Sequence, residues 1–148
     1  MRILALDLAT KTGWAHSSGP SGVQDFKPRR GDSKGMMWIE VKAWLRRFLD
    51  AEPTDVICYE QAHHRGGAAT HSAHSLICCV EEVAAQREIE VTSRRAHDIK
   101  FHATGRRNAS KGEMIAAAKA RWPETEIIDD NHADALWLLS LTRKELHG

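Results

Sequence analysis

Residues 3 to 15 read Ile3-Leu-Ala-Leu-Asp-Leu-Ala-Thr-Lys-Thr-Gly-Trp-Ala15, a short apolar run broken by one acid and followed by a segment opening on Thr-Gly-Trp. Such a run is long enough for a buried strand and short for a helix. Burying a carboxylate is costly unless it is paired, hydrogen-bonded or metal-bound, so Asp7 within this run needs explaining. Gly13–Ser17 resumes as a second strand, and Gly19–Pro20 with Gly22 turns the chain before Val23–Phe26. Together these segments predict a three-strand meander.

Further along, Ser33 is placed to cap a helix over Met36–Leu49, where Met37, Val41, Trp44, Leu45 and Phe48 recur at helical spacing. Pro53 ends it. Asp55–Tyr59 is again a short buried strand, and it delivers Glu60 at its end. After Gly66–Gly67 an Ala-rich helix is expected from Ala69 to Arg87, then a fifth strand over Ile89–Thr92. Short helical or irregular pieces lead to Thr104–Gly105, a helix covers Ser110–Arg121, Pro123 breaks the chain, and a last helix covers Asp130–Leu141. Three strands followed by helices alternating with two more strands predict an α/β layered domain with a mixed sheet.

A chain of 148 residues fits one domain over 1–148, and its 42% hydrophobic content argues against disorder. No apolar run approaches the ~20 residues of a membrane helix, and Asp7 in the opening segment speaks against a secretory signal. Cys58 and the adjacent Cys78 and Cys79 make no disulfide framework, so a reducing cytoplasm is expected. The net charge of +1 conceals clustering. Arg94, Arg95, Lys100, Arg106, Arg107 and Lys111 face only Asp98 in their segment, 6 − 1 = +5, and Lys27, Arg29, Arg30 and Lys34 face Asp32, 4 − 1 = +3. Positive charge gathered in this way suits a phosphate backbone.

Two further acids share the peculiarity of Asp7. Glu60 ends a strand, and Asp134 interrupts the apolar face formed by Ala133, Ala135, Leu136, Leu138 and Leu139. Asp130 lies four residues earlier, roughly 40° away around a helix, and Asn131 about 60° away. Singly, Asp7 could cap a turn, Glu60 could pair with Arg65, and Asp130 could cap its helix. Were they to converge, hard oxygen ligands would favour Mg²⁺ or Mn²⁺. The histidines of His63-His-Arg-Gly-Gly-Ala-Ala-Thr-His-Ser-Ala-His74, even with Cys78 and Cys79, match no familiar zinc finger.

These residues carry a resemblance. Ile3 to Ala15 resembles the first motif of the RuvC-type Holliday-junction resolvases of the RNase H-like superfamily, and Val56-Ile-Cys-Tyr-Glu-Gln61 resembles the second. Thr104-Gly-Arg-Arg-Asn-Ala-Ser-Lys111 is similar to the Gly-and-basic loop leading to a helix-start Lys, and Asp129-Asp-Asn-His-Ala-Asp-Ala-Leu136 to the closing helix with two acids. The four motifs stand in family order over nearly the whole chain. The resemblance implies an RNase H-like fold: a five-stranded mixed sheet, an antiparallel meander plus two parallel strands, flanked by helices. It implies an endonuclease cutting four-way or other branched DNA in recombination, repair or phage DNA processing, with two Mg²⁺ or Mn²⁺ ions. Asp7 would lie between the ions, Glu60 would bind one, and Asp134 with Asp130 the other. In the bacterial family the closing acids are usually three apart, which here falls on Asn131. Asp130 is favoured because a carboxylate offsets cation charge better than an amide, with Asn131 and His132 as alternatives.

On the same resemblance, Lys111 would meet the scissile phosphate or the attacking water. Arg94, Arg95, Arg106 and Arg107 would hold DNA phosphates, and His63, His64 and Arg65 would touch DNA beside Glu60. Symmetric cutting implies a homodimer, for which Ile77, Val80 and Ala84 offer a self-complementary helix face. The host would be a bacterial cell or a phage-infected one. Three other readings compete: a nuclease of the same fold acting on ribosomal RNA precursors, a non-catalytic junction-binding module, and a sugar-kinase-like domain, which the short chain disfavours.

Overall fold

A computed structural model describes residues 1–62 and 67–147, with side chains of residues 68–70 left aside. In chain order the elements are β1 (Ile3–Asp7), β2 (Lys11–His16), β3 (Ser21–Asp25), α1 (Lys34–Ala51), β4 (Val56–Glu60), α2 (Ala68–Gln86), β5 (Glu90–Arg94), α3 (Ala96–Thr104), α4 (Lys111–Arg121) and α5 (Asp130–His147). They form one five-stranded sheet in the order β3-β2-β1-β4-β5. The pairs β1–β2 and β2–β3 are antiparallel, while β1–β4 and β4–β5 are parallel. The mixed sheet is the expected one.

Successive side chains of a strand point to opposite faces, and β1 is buried on both. Ile3 and Ala5 join a core with Met114, Trp137 and Leu138 on the side of α3, α4 and α5. Leu4 and Leu6 join another with Leu45, Val80 and Val83 on the side of α1 and α2. Asp7 continues the alternation of Ile3 and Ala5, and Glu60 that of Cys58, which belongs to the same core as Ala5. Both acids therefore fall on the face covered by α5.

Several boundaries differ from expectation for physical reasons. The last helix continues to His147, since Arg143, Lys144 and Glu145 propagate a helix well and no Gly or Pro interrupts them. The stretch before Thr104 is one regular helix, closed by Gly105 in the left-handed conformation (φ 79°). Ser110 caps α4 through a reciprocal box with Glu113, whose N–H donates to its hydroxyl at 3.1 Å. Ser33 stands at the start of α1, but its side chain makes no capping bond.

One expectation is overturned. The stripe of Ile77, Val80 and Ala84 was to offer a face to a second copy, yet Val80 and Ala84 are fully buried against Leu4, Leu6 and Ile57. An apolar stripe at this spacing is what a helix packed on a sheet requires, and α2 uses Val80 and Ala84 internally, while Ile77 is half-buried. All three cysteines are free thiols, and burial raises the Cys58 thiol to about 11. No helix among the described residues is long and apolar enough to cross a membrane.

Candidate metal centre

Parallel pairing of β1 with β4 sets Leu6 opposite Tyr59, so the residues that follow, Asp7 and Glu60, leave the sheet at the same end. The first turn of α5 lies over this end. A Cβ built on Gly13 would meet the Asn131 backbone, so only a glycine in β2 lets the helix come this close. Asp134 is one turn in from Asp130, on the face turned to the sheet end. Asp7, Glu60 and Asp134 each offer a carboxylate oxygen, and these atoms lie within 4.8 Å of one another.

Asp130 is the fourth acid of the cleft, and its Oδ2 stands 3.7 Å from Lys111 Nζ. It does not cap α5: Asp129 does, accepting from the His132 N–H at 2.9 Å. Asp130 is thus left to face Lys111. Asn131 also lines the cleft, whose volume is about 650 Å³. His132 does not. It is buried, its Nδ1 accepts from the Ile128 N–H at 3.1 Å, and its Nε2 lies 2.8 Å from Ser21 Oγ. With Nδ1 taken as acceptor, Nε2 carries the proton and donates to Ser21, which removes both nitrogens from ligation.

The electrostatics of the cluster follow from crowding. Burial, then the charges of Glu60 and Asp134, a hydrogen bond with Glu60 and the charge of Asp130 push the Asp7 carboxyl well above its ordinary value. Burial with Glu60 and Asp130 raises Asp134 to about 7, against the opposing pull of Lys100 and Lys111. Crowding of this kind favours the protonated form of these carboxyls, and a divalent cation would compete with those protons. The donors are oxygens throughout, which fits Mg²⁺ or Mn²⁺ and not a thiolate-seeking metal.

The predicted DNA contacts separate into groups. Arg95 is exposed at the start of α3. Arg106 pairs with Glu113 at 2.9 Å, and Arg107 pairs with Asp98 at 3.3 Å and lies over the Phe101 ring. Both remain on the surface. Arg94 does not: its side chain is 14% exposed, its Nε stands 2.6 Å from Glu145, and it donates to Thr92 and the Ser93 carbonyl. That guanidinium ties β5 to α5. His63, His64 and Arg65 lie outside the described residues, as does the pairing of Arg65 with Glu60. Lys100 and His97 were missed, although both line the cleft from α3. They sit three apart within the basic segment, a spacing that puts them on one helix face.

No family model matches this chain, and neither does any curated protein. Solved structures do. Thermus thermophilus RuvC in complex with a Holliday junction substrate superposes with a TM-score of 0.75 at 15% identity, over 93% of this chain and 90% of that one. The fowlpox virus resolvase, in a complex with substrate Holliday junction DNA, gives 0.65 at 14% identity over 99% of each chain. The yeast mitochondrial Holliday junction resolvase Ydc2 gives 0.64 at 12% identity, over 93% of this chain and 75% of that one. The chain has the RNase H-like α/β fold of these resolvases.

Proposed function

We propose that this chain is a metal-dependent endodeoxyribonuclease that cuts branched DNA, four-way junctions above all. The observation that carries the reading is the meeting of Asp7, Glu60 and Asp134 within 4.8 Å at one end of the sheet, in a fold shared with resolvases solved on junction DNA.

Asp7, Glu60, Asp130 and Asp134 bring four negative charges, which two divalent cations would neutralise. Two such ions would supply activation of a water and stabilisation of the leaving 3′-oxygen. Asp7 would be the shared acid, Glu60 would hold one ion and Asp134 with Asp130 the other, with Asn131 available to add an amide oxygen at the edge. Lys111, 84% exposed beyond its contact with Asp130, reaches the scissile phosphate or the water from the mouth of the cleft. Lys100 lowers the local negative potential at the same place. Arg95, Arg106 and Arg107 supply backbone contacts, which fix position without reading sequence.

Cutting two equivalent strands takes two sites, so the working form is a two-fold homodimer. Its interface lies away from the internal stripe of α2. Met36, Trp38 and Ile39, exposed near the start of α1, are apolar surface fit for it.

The test compares a mobile four-way junction, a linear duplex and a structured RNA with Mg²⁺ or Mn²⁺, using wild type and Asp7→Asn. Nicking confined to the junction and lost in the variant is expected. Preferential RNA cleavage would move the assignment to RNA processing, and tight junction binding without nicking in either metal would make this a binding module.

A further inference from the structure

On the opposite side of α5 from the acids lies a second cleft of about 650 Å³ between the β2–β3 turn, the end of α4 and the last turns of α5. Its lining includes Arg121, Arg143, Lys144 and His147, and no acidic side chain among the described residues. Helix dipoles favour cations over acids at these C-terminal turns, which accounts for part of this charge. The acid of that turn, Glu145, is turned away and held by Arg94 at 2.6 Å. Two of the cations are held in place: Arg143 donates to the Ser17 carbonyl at 2.9 Å, and Arg121 lies over the Trp122 ring at 5.4 Å. Beneath them Pro20, Trp122 and Leu139 form an apolar wall.

A duplex backbone would use the cationic rim and leave the wall uncovered. A rim of cations, two of them held in place, over an apolar wall instead matches phosphate and exposed base together. We infer that this cleft is a second nucleic-acid site, taking an unstacked nucleotide of a single-stranded segment, with the phosphate at Arg121, Arg143 and Lys144 and the base against Pro20 and the part of Trp122 left open by Arg121 and Trp137. Arg143 is about 180° around α5 from Asp134 and some 13 Å along it, so the nucleotide held here is not the one under the acids. The inference rests on nucleic acid being the partner, as proposed above, and not on the chain cutting it.

The experiment is anisotropy of a labelled dT12 strand with wild type, Arg121→Glu, Lys144→Glu and the milder Lys144→Gln, all in EDTA so that cleavage plays no part. Circular dichroism confirms the fold of each. Each charge reversal is expected to weaken dT12 binding about fivefold or more and to lower the salt slope by about one, with Lys144→Gln between. Three results would overturn the inference: unchanged dT12 affinity in folded variants, equal losses for a dT12·dA12 duplex, or dTMP alone binding as tightly as the strand. A chain that binds dT12 here and never nicks a junction keeps this site and loses the nuclease reading. A junction nuclease indifferent to these reversals does the opposite.

Discussion

A Cβ added to Gly13 would stand 1.9 Å from the carbonyl oxygen of Asn131. No flexible side chain is involved, so the first turn of α5, with Asp130 and Asp134, would have to lift from the sheet. Gly13→Ala is expected to cost about 2 kcal/mol or more and to weaken Mg²⁺ binding by at least tenfold. Gly112→Ala is the control, because the nearest atom to its new Cβ is Ser110 Oγ at 3.9 Å. Denaturant unfolding and metal titration by calorimetry read both effects.

Raised carboxyls make stability depend on pH in a definite direction. The folded pKa of Asp134 is about 7, above the ordinary 3.8, so the folded state binds more protons between those values. Its contribution to stability is full below the ordinary value and is lost as pH rises through about 7. Asp134→Asn in EDTA is expected to flatten that slope and to be more stable than wild type at pH 8, by on the order of a few kcal/mol. Adding Mg²⁺ should stabilise wild type and not the variant. Thermal melts at pH 5, 6.5 and 8 test this, and parallel slopes for the two proteins would remove the cluster from the account.

Asp130 and Lys111 separate ion binding from chemistry. Asp130→Asn is expected to weaken metal affinity tenfold or more, whereas Asn131→Ala changes it little. Lys111→Ala removes a cation 3.7 Å from Asp130, so Mg²⁺ should bind as well or better while junction nicking falls about a hundredfold. Calorimetry beside single-turnover kinetics distinguishes the two; a parallel loss of metal affinity in Lys111→Ala would contradict the role given to the lysine.

Neighbouring arginines should behave differently. Arg94→Ala leaves Glu145 without its partner and is expected to destabilise the fold by about 1–3 kcal/mol with little change in junction affinity. Arg95→Ala should keep full stability and lose affinity, with a salt slope lowered by about one. Junction binding at several salt concentrations gives both readings.

The meeting of Asp7, Glu60 and Asp134 was legible only as a set, since each acid alone has an ordinary reading, and the sheet was legible because its strands are short and bounded by Gly, Pro or polar turns. Other features depend on partners far away in the chain. Arg94 reads as one more cation of a basic segment until Glu145, 51 residues on, folds back to it. Ile77, Val80 and Ala84 show the same pattern whether a sheet or a second molecule covers them. Asp129 and Asp130 are adjacent acids at a helix start, and only the bond to the His132 N–H tells cap from cleft. The demand on Gly13 lies in the backbone of Asn131, which leaves no mark in the spacing of residues.

Because Asp7 and Glu60 follow the pleat of Ala5 and Cys58, this chemistry depends on counting. A single residue inserted into β1 or β4 ahead of its acid would swing that acid across to Leu45 and Val80, among hydrocarbon and out of reach of the other carboxylates. Changes of length are admissible only where parity is not kept, such as the turn at Gly19 and Pro20 or the connection between Gly105 and Ser110.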